Sequence, residues 1–274
     1  MNYRSSSQAF KFDILITIRL LEIIKDEQGI DINKIVMLTG MGEPKVKENI
    51  SYMRFCDLLD GDNINYFGNG ILAIKNSSDI VEQLLLYKLS RGSVNGGHYY
   101  FSRLMNQVLY DYAFQINNTV SRDQILKKAL MCEEEKEFSR DSNKGKENNF
   151  LQALNQGLCD TTTGFGKMGM VVQKDGAYEI SGYIPHRLVT AYILYDNWPD
   201  ARNALKLDEL FNRDYFPAKI FFMGQDLIKE QIYYLTNERI LYLEEEAGLN
   251  QVRLSPELNS DKILDRIVDS CLSN

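Results

Sequence analysis

Lys45, Lys47, Asn49 and Arg54, all within "PKVKENISYMR", are residues that could grip or read DNA from one helix. Lysine and arginine neutralise phosphates, and arginine, lysine and asparagine hydrogen-bond base edges in a major groove. A second stretch, "TTTGFGKMGMVVQKDGAYEIS" from Thr161 to Ser181, combines glycines, hydroxyls and a lysine, the residue types of a phosphate-cradling loop. Such a loop needs G-x-x-x-x-G-K-[ST] between a buried strand and a helix whose N-terminus receives the phosphate. Here Met168 follows Lys167, the upstream pattern is helical, and "MVVQKDGAYEI" reads as two β arms about a Lys-Asp-Gly turn. The stretch predicts a hairpin wing and no nucleotide loop.

Other chemistry finds little support. No GxSxG elbow or HExxH pair occurs. Cys159 could pair with His98 or His186, but nothing local would activate its thiolate. His98 opens a helix, where it caps or packs, and no second ligand stands at metal-site spacing. The runs "EEEKE" and "EEE" are of the solvated kind, and "YLEEEAGL" lacks the lysine that a metal-dependent nuclease would set beside its acids. The cysteines Cys56, Cys132, Cys159 and Cys271 are scattered without a CxxC pair, which suits a reducing cytoplasm and neither a disulfide framework nor structural zinc. The expectation is a protein without catalytic residues, metal or cofactor.

The elements that must position Lys45–Arg54 come next. Residues Phe10 to about Asp26 form an amphipathic stripe, and Asp31 caps a short helix through Leu38. Gly40 and Gly42 supply a tight turn, and Pro44 suits a helical first turn because its missing N–H is not needed there. Val46, Ile50, Met53 and Leu58 point inward, which sets Lys45 and Asn49 on one face and Lys47 and Arg54 on another. Two β-prone runs, Asn63–Phe67 and Ile71–Ile74, flank "GNG" as a hairpin. That order is a winged helix-turn-helix.

Downstream, Phe101, Leu104, Met105, Val108 and Tyr112 repeat at helical spacing, the pattern of a packed core. Ser121 caps a helix through Met131, and a polar connection spans Cys132–Asn149. A helix with Phe150, Leu151 and Leu154 inward then leads into the wing. "HRLVTAYILYDNW" is an apolar helix, Leu207, Leu210 and Phe211 face inward on a short one, and Gly224–Leu241 forms a longer one. "ILYL" and "QVRL" make a last hairpin around "EEEAG", and Pro256 stands in the first turn of the closing helix. The fold class is therefore mainly α with short β-hairpins: tandem winged helix-turn-helix units joined by a helical segment. The divisions fall at 1–76, 77–119, 120–199 and 200–274.

Bulk properties agree. The 274 residues are 44% apolar and 25% charged, suited to two or three small packed units, and no apolar run reaches membrane length. Net charge is −7, and residues 200–274 hold 9 basic against 14 acidic side chains, so that third is a poor partner for phosphates. The nearly neutral remainder permits a local basic face.

The run "FGNGILAIKNSSDIVEQLLLYKLSRGSVNGGHYYFSRLMN", with "FGKMGMVVQKDGAYEI" and "EEEAGLNQVRL", resembles the bacterial family called domain of unknown function four thousand and seven. Members of that family are found beside phosphoadenosine-phosphosulfate-reductase-like genes of DNA phosphorothioation and anti-phage defence. The resemblance implies an accessory role in DNA modification or defence, sensing or scaffolding DNA within a protein complex, and carries over no catalytic residue. Two functions follow as expectations: a DNA-binding accessory that meets duplex DNA through Lys45, Lys47, Asn49 and Arg54, or a non-catalytic scaffold that docks partner proteins through its winged helices and acidic C-terminal third.

Overall fold

Asp13 opens the first helix by accepting the Ile16 N–H at 3.0 Å, and α1 (Ile14–Asp26) buries Leu20, Leu21 and Ile24. The computed structural model describes residues 12–91, 98–115, 118–131, 143–245 and 250–273. Within them the protein is mainly helical, with three small sheets whose pairings are all antiparallel.

Asp31 caps α2 (Ile32–Thr39) through the Lys34 N–H at 3.1 Å, and Gly40, at φ 68°, closes it. Pro44 stands in the first turn of α3 (Glu43–Phe55), whose Val46, Ile50 and Met53 are buried as their spacing requires. The following hairpin is shorter and earlier than predicted. Strands β1 (Leu59–Asp60) and β2 (Asn63–Ile64) meet around Gly61 and Asp62, while Ile71–Ile74, expected as an arm, mostly belongs to α4 (Tyr66–Ala73). Asn65 starts that helix by accepting the Gly68 N–H at 2.8 Å. A Cβ on Gly68 would lie 2.4 Å from the Leu58 carbonyl oxygen. The glycine thus serves close packing of a helix, and not a turn.

Every residue from Val81 to Ser90 on α5 (Ser78–Ser90) is buried. The next helix runs from α6 (Tyr99–Arg103) through a widened π-helical stretch, Leu104–Leu109, into α7 (Tyr110–Ala113). Buried Asn106 lies inside that stretch. Its Nδ2 donates to the Ser90 and Ser102 carbonyls, both at 2.9 Å, and its Oδ1 accepts the Tyr215 N–H at 2.9 Å.

The second sheet joins β3 (Thr119–Ser121), β4 (Val171–Lys174) and β5 (Ala177–Ile180) in the order β3-β5-β4. Asp175 at φ 50° and Gly176 at φ 80° form the two-residue turn predicted between β4 and β5. Ser121 caps α8 (Arg122–Met131) reciprocally with Gln124. Of the expected polar connection, 132–142 lies outside the described residues, and from Asn143 onward the chain is already helical in α9 (Asn143–Gln152). The third sheet, with β6 (Leu205–Lys206), β7 (Leu241–Glu244) and β8 (Gln251–Leu254), has the order β6-β8-β7. Around it stand α10 (Arg187–Asn197), α11 (Leu207–Asn212), α12 (Pro217–Ile220), α13 (Gln225–Asn237) and α14 (Ser260–Leu272). Pro256 lies ahead of α14 and not in its first turn, because Asn259 accepts the Lys262 N–H and sets the start. The last helix packs on α10 and returns to α4, where the Tyr66 hydroxyl donates to Asp265. Among the described residues no helix is long and apolar enough to cross a membrane.

The "TTTGFGK" stretch lies between a π-helical segment, Ala153–Cys159, and β4, with a single 3-10 turn at Gly166–Met168. Phe165 is buried against Phe12 and Phe101, with ring centroids 5.6 and 5.8 Å away. The flanking glycines let the backbone press against the preceding helix: a Cβ at Gly164 would lie 2.3 Å from the Gln156 carbonyl oxygen, and one at Gly166 2.5 Å from that of Cys159. Gly164→Ala should therefore destabilise the protein by about 1–3 kcal/mol. Urea titration checks this, and an unchanged midpoint would contradict the close approach.

Candidate nucleic-acid interface

Two inward-facing helices and a glycine turn present α3, and its burial pattern decides which of its polar groups reach solvent. At about 100° per residue, Val46, Ile50, Met53 and Asn49 share the core side, while Glu43, Lys47, Ser51 and Arg54 point outward. Lys45, Lys47 and Arg54 are exposed. Asn49 is not: it is 2% exposed, its Nδ2 donates to the Lys45 carbonyl at 2.8 Å, and its Oδ1 is buried without a hydrogen-bond partner among the described residues. Of the four residues the sequence offers for DNA contact, Asn49 is thus withdrawn into the core, and Lys45 stands over its edge. Lys47 and Arg54 form the outward pair.

That outward face is electrically compensated. Lys47 pairs with Glu43 one turn back, and Arg54 lies 3.5 Å from Asp62 on the β1–β2 turn. Both are exposed pairs, worth little and readily exchanged for a phosphate. In the second unit Lys128 is likewise engaged, by Asp111.

The end of α3 is anchored by residues that sequence reasoning overlooked. Asp57 follows the helix in a left-handed conformation, φ 56°, which asparagine and aspartate tolerate better than other side chains. Its carboxylate lies 3.1 Å from the Lys88 ammonium and 3.7 Å from Arg91. Lys88, 1% exposed, also meets Asp196 of α10 at 2.9 Å, and Arg91 meets the same carboxylate at 3.0 Å. The Tyr87 hydroxyl donates to Asp196 at 2.6 Å, and the ammonium lies 4.6 Å from the Phe67 ring centre and 5.3 Å from that of Tyr192. Burial alone would raise the Asp196 pKa, but Lys88, Arg91 and the Tyr87 hydrogen bond hold it below the usual carboxylate value. One buried cation therefore ties α3, α4, α5 and α10 together. The only hint in the sequence is a lone lysine within the apolar run "LLLYKL".

His98 acts as the cap the sequence suggests. Its Nδ1 accepts the Phe101 N–H at 3.4 Å, and its ring stacks on Tyr52 of α3 at 5.7 Å. Burial pushes its pKa down to about 4. Cys159 is no activated nucleophile: burial pushes its thiol up to about 12.

No family model and no curated protein matches the chain. Among solved structures it is similar to one described as "Magnesium ion-bound SspB crystal structure", at 12% identity and a TM-score of 0.72, covering 99% of this chain and 90% of that one. It is also similar to one described as "SspB crystal structure", at 12% identity and a TM-score of 0.65, covering 88% and 80%. Magnesium belongs to that neighbour. Among the described residues of this chain no group of three or more His, Cys, Asp or Glu side chains comes together as a metal site. The likeness runs over nearly the full length of both chains and shows that the protein has an SspB-like fold.

Proposed function

We propose that this protein is a non-catalytic, DNA-contacting accessory of a bacterial DNA-modification or anti-phage defence system, working in the cytoplasm beside partner proteins. The observation that carries the reading is α3 itself, a helix presented by a glycine turn with Lys47 and Arg54 on its outward face and Lys45 at its edge. In this reading 1–76 is a winged helix-turn-helix, 77–119 a helical connector, 120–199 a second winged-helix-like unit with its helix, and 200–274 an acidic helical and hairpin unit. Supporting it, the strand orders β3-β5-β4 and β6-β8-β7 both pair a strand preceding the helices with the second arm of the later hairpin. That is the connectivity a winged helix uses. The setting in DNA modification rests on the family resemblance.

Anisotropy of a labelled duplex at several salt concentrations tests the reading. With two or three phosphates contacted, log K should fall against log salt with a slope of about −2 to −3. Lys47→Glu with Arg54→Glu should weaken binding at low salt at least tenfold, since two attractions become repulsions. The scaffold reading is favoured by the compensated face of α3 and by exposed Tyr233, Tyr242 and Leu272 on the acidic C-terminal third. It takes over if no duplex binds at low salt while a partner co-purifies through residues 200–274.

A further inference from the structure

The "TTTGFGK" segment, which is not a phosphate loop, nevertheless walls one side of a pocket of about 380 Å³ against α1 and the start of α5. That volume falls within the range of roughly 300–1,000 Å³ used for small molecules. Glu82 lines it, only 8% exposed, and its carboxylate has no hydrogen-bond or ion-pair partner among the described residues. Its oxygens keep contact with solvent, so they stand open to a donor entering the pocket. Burial raises its pKa, and Lys167 opposes that from a distance without ion-pair contact.

The other groups around the pocket have complementary chemistry. Three cations line it, Arg19, Lys75 and Lys167. Lys75 is engaged by Glu22, whereas Lys167 has no ion-pair partner among the described residues and Arg19 only touches the Leu38 carbonyl at 3.4 Å. Ile18 and Val81 add apolar surface to the lining. The lining of the cavity therefore includes two available cations, apolar side chains and an unpaired carboxylate. A small free anion would be repelled by Glu82, and a simple cation by Arg19 and Lys167.

We propose that this pocket binds a nucleoside monophosphate, its phosphate between Arg19 and Lys167 and the adjacent amino and imino N–H groups of a guanine-type base on the Glu82 carboxylate. The site is separate from α3, so it stands or falls independently of duplex binding.

Calorimetric titration of the full chain with GMP, AMP and inorganic phosphate tests the assignment. GMP should bind about tenfold or more tighter than AMP, because adenine cannot place two donors on one carboxylate. Phosphate alone should bind weakest. Glu82→Gln should remove the preference for GMP over AMP, and Lys167→Met, at an exposed position, should weaken both nucleotides. Circular dichroism confirms that each variant is folded. Equal affinity for GMP and AMP, unchanged GMP affinity in Glu82→Gln, or no nucleotide binding at all would each overturn the proposal.

Discussion

Lys88→Ala is expected to lower the free energy of unfolding by about 3–5 kcal/mol, the range for removing one member of a buried ion pair. The substitution empties a site framed by Phe67 and Tyr192 and leaves Asp196 with Arg91 as its remaining ion-pair partner among the described residues. Urea titration of the purified chain measures the loss, and one below about 1 kcal/mol would contradict the structural role given to this lysine. Lys88→Met keeps much of the aliphatic stem against the two rings while deleting the charge. Combined with Asp196→Asn, it should recover part of the loss, since removing both charges is less damaging than stranding one. The same variant should loosen α3, because Asp57 would lose its closest cation. Any duplex affinity should then fall although no exposed residue has changed.

Acidification gives the second large effect. With a folded pKa of about 4 against the ordinary 6.5, His98 takes up its proton more readily in the unfolded chain. The stability this confers is fully present above pH 6.5 and is lost as pH falls toward 4, by about 3 kcal/mol. Asp196 and Asp160, whose pKa values are also lowered, destabilise the fold in the same direction at lower pH, while Glu82, raised by burial, acts oppositely. His98→Asn separates the contributions, because asparagine can still accept the capping N–H but does not titrate. That variant will be less stable at neutral pH for want of the Tyr52 stacking, yet its profile between pH 6.5 and 4 should be flatter. A slope identical to that of the parent would sink the assignment to His98.

Local chemistry was legible wherever it acted alone. Asp31 and Ser121 as caps, Pro44 in a first turn and Asp175–Gly176 as a hairpin turn are all decided by backbone needs within a few residues. The sequence misled where distant packing intervened. "GNG" carries the composition of a turn, but Gly68 is glycine because the Leu58 carbonyl lies where its Cβ would be. Asn49 has the chemistry of a base reader, yet its helical angle puts it among Val46, Ile50 and Met53. The candidate interface was half visible for the same reason: exposed Lys47 and Arg54 follow from periodicity, whereas the Lys88 anchor depends on Asp57 and Asp196, far apart along the chain.

The two three-stranded sheets also bear on how the chain acquires its shape. In each, the central strand is the last to be synthesised, and its outer neighbours are a close hairpin arm and a strand from far upstream: Thr119 faces Glu179, and Leu205 faces Val252. Hairpins close within microseconds, but pairings across long intervals wait on slow loop closure. Strands β3 and β6 must therefore remain unmated until the hairpin arrives, leaving each unit open at one edge for most of its passage from the ribosome.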